Sequence, residues 1–300
     1  MDYAGCQREM MRRMWVGLLV GCLALLVGAP LASAQELLVD ASWLNARLSD
    51  PKVRMVDMVT EPEDYKKGHI PGAVYLHVDD SRIGVPTGGF RLPNVQEGAT
   101  LLGGLGITPE TQVVIYDDAG GLHASRFFFT LDVLGHRKAA ILNGGIQAWK
   151  RAGLALTREA PRVKPTTYKP AIHPERVASA EWVRDRLKDP KVALVDARTP
   201  AEYQGKDVFA KRGGHIPGAV NIEWRQNLRP DWTFKPLDEL RAMYVAKGAT
   251  PDKTVITYCQ THHRAAHTYF VLRLLGYPNL VGYDRSWVEW GNRDDLPVEK

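Results

Sequence analysis

A cysteine, three histidines and an arginine share one short stretch, "TYCQTHHRAAH" over 257–267. Cys259 follows the β-branched run Thr254–Tyr258, and Ala265, Tyr269 and Leu272 after it keep the i, i+4, i+7 spacing of a buried helical stripe. The pattern predicts a strand, a tight turn carrying Cys259, and a helix. A helix N-terminus presents unpaired N–H groups and a partial positive charge. Both favour a thiolate over a thiol, and Arg264 and a protonated His262 or His263 act in the same sense. Amides converging on the sulfur also cradle a second, negatively charged atom bonded to it. The chemistry expected is a nucleophilic cysteine that carries an anionic adduct.

Two other chemistries use the same residue types. Cys259, His262, His263 and His267 are four plausible zinc ligands, with His263 and His267 one helical turn apart. A Cys-x2-His pair inside the turn closes a tetrahedron poorly, and there is no second ligand cluster, so no metal or other cofactor is expected. The second is a phosphate-binding loop bracketed by a cysteine and an arginine. Only residues 260–263 separate Cys259 from Arg264. So short a loop suits a sulfur atom better than a phosphate.

The elements that must hold this turn occur twice. "VRMVDMVTEPEDYKKGHIPGAV" (53–74) returns as "VALVDARTPAEYQGKDVFAKRGGHIPGAV" (192–220), with an insertion near Lys206 to Arg212. "QVVIYDDAGGLHASRFFFTLDVLGHRKAAILNGGIQAW" (112–149) returns as "TVITYCQTHHRAAHTYFVLRLLGYPNLVGYDRSWVEW" (254–290). Leu134-Gly135 maps to Leu275-Gly276 and Trp149 to Trp290 at one constant offset, which places Asp118 opposite Cys259 and His123 opposite Arg264. The organisation expected is a first domain over 36–158, a linker over 159–175 and a second domain over 176–300. The runs Val53–Val56, Val113–Tyr116, Ala139–Leu142, Val192–Val195, Thr254–Tyr258 and Asn279–Val281 lack polar alternation. They are expected as strands of parallel sheets flanked by helices on both faces, an α/β fold. The turn then lies at the carboxyl end of a strand, where open α/β sheets place ligands.

Three hundred residues suffice for two cores, and 45% apolar with 24% charged residues is the composition of a globular protein. The net charge of +5 is spread along the chain, which argues against a nucleic-acid partner and fits an anionic small substrate. Arg12-Arg13, the apolar run Trp15 to Val27 and Ala32-Ser33-Ala34 have the form of a cleaved signal peptide over 1–34. Its removal implies a periplasmic or secreted protein with no membrane attachment, and Cys259 as the one remaining thiol; a lipoprotein box at Leu19-Val20-Gly21-Cys22 is the less favoured alternative, since the apolar run continues past Cys22.

On these motifs the chain resembles the rhodanese family of sulfurtransferases, in its tandem two-domain form. "YKKGHIPGAVYL" (65–76) is similar to the family's first signature, "VGYDRSWVEW" (281–290) to its C-terminal signature with Arg285 in place of a usual glycine, and "CQTHHR" to its active loop. The resemblance implies a non-catalytic first domain and a double displacement in the second. Cys259 takes the outer sulfur of a small anionic donor such as thiosulfate, and cyanide or a thiol accepts it. It implies that Gln260, Thr261, His262, His263 and Arg264 line the substrate, with Arg264 neutralising the donor's charge. Asp196 orders the loop, and Arg198 pairs with it or binds substrate; a solvated strand-end pair is the alternative reading. His69 and His215, one in each "GHIPGA" turn, read as structural.

Departures from the family pattern bear on the donor. Glu202 precedes Tyr203 where thiosulfate-using members carry a cation, and Thr261 stands where they carry a basic residue. The loop also lacks the Gly/Ser character of mercaptopyruvate-using members. Arg264, His262, His263 and Arg285 are the candidates to supply the missing charge. His262 falls where glycine is common, which predicts a strained turn. Trp224, Trp232 and Phe234 are candidates for a wall of the site.

Overall fold

The computed structural model describes residues 37–300; the leader expected over 1–34 lies outside them. The first half holds β1 (Leu38–Val39), β2 (Val53–Asp57), β3 (Val74–Tyr75), an antiparallel pair β4 (Ile83–Gly84) and β5 (Phe90–Arg91), then β6 (Gln112–Tyr116) and β7 (Ala139–Leu142). Its main sheet is parallel throughout, in the order β1-β7-β6-β2-β3. The second half repeats the plan with β8 (Val192–Asp196), β9 (Val220–Asn221), β10 (Thr254–Tyr258) and β11 (Leu280–Gly282), in the parallel order β11-β10-β8-β9. A single parallel bridge from Val177 to Gly282 stands where β1 stands in the first half.

The strands are apolar on both faces because each sheet is covered on both. Val113 and Ile115 join one core while Val114 and Tyr116, pointing the other way, join another. Val255 likewise parts from Ile256 and Tyr258. The two inner faces share one core. Within it the helix Leu122–Val133 packs on the helix His263–Leu274, with Phe128 edge-on to Phe270 at 4.9 Å and Phe129 edge-on to Tyr269 at 4.8 Å. Tyr269 closes the seam by donating to Asp132 at 2.8 Å. Both helices are buried almost all round, as expected of elements lying between two sheets.

The segment expected as a linker has no helix or strand over 158–173. It is strapped to the first half: Thr166 N donates to Gly103 O at 2.9 Å, Ala171 N to Leu134 O at 3.0 Å and His173 N to Val133 O at 2.8 Å. Gly135, at φ +83, lies so close beneath Ala171 that a side chain there would strike its carbonyl. Among the described residues no helix is long and apolar enough to cross a membrane.

Candidate active site

The two strand ends are built alike. Tyr116 and Tyr258 close β6 and β10, and their hydroxyls accept from Ile70 N and Ile216 N at 3.1 and 3.2 Å. His69 stacks on Tyr65 at 3.8 Å and His215 on Tyr203 at 3.6 Å, each with Nδ1 2.9 Å from the tyrosine's carbonyl. Both histidines brace the turns they sit in, in the same way in each half.

From Tyr258 the chain turns through Cys259–His262 and enters the helix His263–Leu274. His262 makes the corner at φ +56, a left-handed conformation that costs a non-glycine residue on the order of 1 kcal/mol. The loop's carbonyls are taken by the segment after β11: Cys259 O accepts from Trp287 N and Gln260 O from Val288 N, both at 3.0 Å. Cys259 N donates to Ser286 Oγ at 3.3 Å. The amides of His262, Arg264 and Ala265 have no protein acceptor among the described residues. Cys259 is 1% exposed and packs with Ala197, Ala265 and Trp224.

The first half shows what such a loop holds. Asp117 O accepts from Ile146 N at 3.0 Å, the bond that Cys259 O makes with Trp287 N. Asp117, and not Asp118, therefore stands in the place of Cys259, and the first loop is longer by one residue. The Asp117 carboxylate is gripped by four amides, those of Ala119 (3.0 Å), Gly121 (2.8 Å), His123 (2.8 Å) and Ala124 (2.9 Å). Burial pushes its carboxyl up, and the charge on His123 and these amides pull it down. Counted from the helix starts, Gly121, His123 and Ala124 match His262, Arg264 and Ala265. Asp118 turns aside to accept from Thr60 N at 3.0 Å and Thr60 Oγ1 at 2.9 Å.

The other predicted residues are distributed unevenly. Arg264 is half-buried and held in a bidentate pair with Glu202, at 2.5 and 2.8 Å. Burial lowers the Arg264 pKa, but the Glu202 hydrogen bonds and the charge of Cys259 raise it by more. Its charge thus already has a partner. His262 places Nε2 3.2 Å from Thr257 Oγ1 and its ring 4.4 Å from Phe129. Burial drives its pKa down to about 3. His263 lies 3.0 Å from His123 of the first half, and burial together with His123, Arg82, Arg126 and Arg264 holds it well below the usual histidine range. Both rings are neutral at neutral pH, which corrects the expectation that they supply positive charge. Gln260 ties the loop to the insertion through Phe209 O at 3.0 Å, and Thr261 is half-buried beside it. His267 turns to Asn227 and Gly120 O, so the four possible metal ligands do not converge.

Asp196 and Arg198 form a buried pair, not a solvated one. Arg198 Nε and Nη2 meet the carboxylate at 2.6–3.0 Å, Nη2 also donates to Gly214 O at 2.7 Å, and the guanidinium lies 4.5 Å from the Trp287 ring. Trp287 N is the group that holds Cys259 O, so the pair reaches the loop through one tryptophan. It leaves neither Nε nor Nη2 of Arg198 free for the expected substrate contact. Of the aromatic candidates, Trp224 lies against Cys259. Trp232 and Phe234 cover Gly120 and Gly121 of the first half. Arg285 donates to Phe90 O, Gly88 O and Thr87 Oγ1 across the interface at 3.0–3.1 Å.

Two residues escape the sequence reading, and both come from the first half. Arg126 is fully buried, donates from Nη1 to Asp284 at 2.6 Å and lies 3.5 Å from His262 Nδ1. Arg82, 8% exposed, pairs with Asp79 and stacks on Phe90 at 3.6 Å. Among the described residues, Arg82 Nη1 and Arg126 Nε and Nη2 have no hydrogen-bond partner. The sequence did carry a signal for Arg126: a cation inside the apolar helix run "SRFFFTLDVL".

The chain is 41% identical over 263 residues to a thiosulfate sulfurtransferase of Azotobacter vinelandii, covering 88% of this chain and 97% of that one. It is 39% identical to a sulfur carrier protein of Thermus thermophilus over 287 residues, with the same coverage. Among solved structures, the anaerobic ergothioneine biosynthesis enzyme of Chlorobium limicola superposes with a TM-score of 0.81 at 26% identity, over 90% of this chain and 71% of that one. The rhodanese-like domain matches twice, over residues 40–152 and 179–293. With two halves built on one plan and a cysteine loop at the same strand end, the chain belongs to the rhodanese-like domain family as a tandem member.

Proposed function

We propose that this protein is a sulfurtransferase that moves a sulfane sulfur from thiosulfate to cyanide or a thiol through a persulfide on Cys259. One observation carries the reading. The place of Cys259 is filled in the first half by a carboxylate gripped by four amides, while the matching amides around Cys259 have no protein acceptor among the described residues. The loop is a cradle for an anion bonded at that position, and in the second half the residue there is a nucleophile. The thiolate sulfur attacks the outer sulfur of thiosulfate; a new S–S bond forms as the old one breaks, and its electron pair leaves with sulfite. The persulfide keeps the thiolate's single negative charge, which the amides of His262, Arg264 and Ala265 stabilise. An acceptor nucleophile then removes the outer sulfur and returns the thiolate. The similarity to the Azotobacter vinelandii enzyme supports thiosulfate over mercaptopyruvate as donor.

Intact-mass analysis tests this directly. Thiosulfate adds about 32 Da, cyanide removes it, and Cys259→Ser folds normally and gains nothing. A chain that stays unlabelled by thiosulfate refutes the reading. The Thermus thermophilus relative favours a second one, a persulfide carrier serving a protein partner. A carrier takes up the same mass and turns over negligibly with cyanide, so steady-state rates separate the two. We also propose export, on Arg12-Arg13, the apolar run 15–27 and Ala32-Ser33-Ala34. N-terminal sequencing of protein recovered from the periplasm checks it, with Gln35 expected first.

A further inference from the structure

Resting on that reading, we infer that Arg82 and Arg126 of the first domain form the subsite that holds the sulfonate end of the anionic donor beside the Cys259 loop. Buried guanidinium N–H groups are normally satisfied, because leaving one unmade costs its full desolvation. Here Arg82 Nη1 and Arg126 Nε and Nη2 are buried without a partner among the described residues. Each arginine keeps one carboxylate, Asp79 or Asp284, and each still has N–H donors in the planar fork that fits an oxyanion.

Arg126 is placed by a contact to the loop itself, and Arg82 by Phe90, a neighbour of the segment that holds the loop. Arg126 touches both His262 and Asp284. Asp284 also accepts from Leu92 N at 2.9 Å, and two residues on, Ser286 Oγ receives Cys259 N. Arg82 stacks on Phe90, whose carbonyl accepts from Arg285. Arg82 and Arg126 both lie close enough to His263 of the loop to disfavour its charged form. Within the second domain the arginine candidates are engaged elsewhere: Arg264 by Glu202, Arg198 by Asp196 and Gly214, and Arg285 by Phe90 O, Gly88 O and Thr87 Oγ1. A domain without a sulfur carrier thus completes the site.

Calorimetric titration of Cys259→Ser with sodium thiosulfate reads the subsite without turnover. Arg82→Gln in that background is expected to weaken binding by about tenfold or more, the loss of a charge-assisted hydrogen bond. Arg82→Lys, which keeps the charge, restores part of it, and thermal midpoints without thiosulfate stay together. Arg126→Gln leaves buried Asp284 unpaired, so Arg126→Lys is the second variant, with a loss expected because lysine cannot reproduce the fork. No thiosulfate binding with both arginines intact, or unchanged binding in Arg82→Gln, overturns the subsite. If the unmodified protein still gains the sulfur mass, only this inference falls; if it does not, the sulfur-transfer reading falls first.

Discussion

Single side chains decide where charge is free near Cys259. Glu202 binds the arginine of the Cys259 loop, Arg264. The same carboxylate accepts from Thr199 N at 3.2 Å and Oγ1 at 3.1 Å, closing the cap of the helix Pro200–Tyr203. Burial raises its pKa, but the hydrogen bonds and charge of Arg264 lower it by more, so it is ionised and repels an anionic donor. Glutamine keeps an acceptor for the cap and deletes the charge. At the effective dielectric of a partly buried site, removing one such charge is worth about 1 kcal/mol or more. Glu202→Gln is therefore expected to lower the thiosulfate KM roughly three- to tenfold, with a modest drop in thermal midpoint. Steady-state kinetics at fixed ionic strength measure it. An unchanged KM means that Arg264 and Glu202 act only as a structural clamp.

Strands and helices were legible in the sequence because their burial is written in it. The apolar runs are buried on alternate sides, and the repeat fixed which strand carries the turn. The loops were less legible. Counting back from the helices pairs Asp118 with Cys259, while the hydrogen bonds pair Asp117 with it, since one loop is a residue longer. Offsets measured on helices do not survive a turn whose length differs. The strain anticipated at His262 is present, and β11 is shaped around it. A Cβ on Gly282 would lie 2.5 Å from Phe129 Cζ and 2.7 Å from His262 Nε2. Both neighbours are rings wedged in a core, so neither yields cheaply. Gly282→Ala is expected to cost about 1–3 kcal/mol and to displace the loop corner. Urea denaturation and the persulfide-loading rate should fall together; a destabilised protein that loads at the normal rate would separate β11 from the loop's geometry.

Over the whole molecule, the Cys259 loop is contacted from both halves. Cys259 and its loop could be read from one motif, but Arg126 and His123 reach His262 and His263 only through packing of two domains, and no local spacing records that. The shared interface also buries histidines. Burial lowers His262 to about 3 and His267 to about 4, and takes His263 well below its ordinary value. In the unfolded chain each titrates near 6.5. Between the folded and unfolded values the unfolded state binds more protons, so stability is fully present above about pH 6.5 and is lost as pH falls below it. Each group contributes a slope of up to about 1.4 kcal/mol per pH unit. Asp57 and Asp117 oppose this. Burial raises Asp57 to about 6 and Asp117 also upward, so each carboxyl favours the folded state as pH falls through its raised value. Burial lowers His136 as well, and four histidines against two carboxyls leave a net loss on acidification. Urea midpoints measured from pH 7.5 to 5 are expected to fall steadily below about pH 6.5, well above the usual carboxylate range. His262→Asn, whose side chain tolerates the left-handed corner, should flatten that slope by one group. A midpoint that holds constant to pH 5 would mean that these histidines take up protons without opening the interface between the domains.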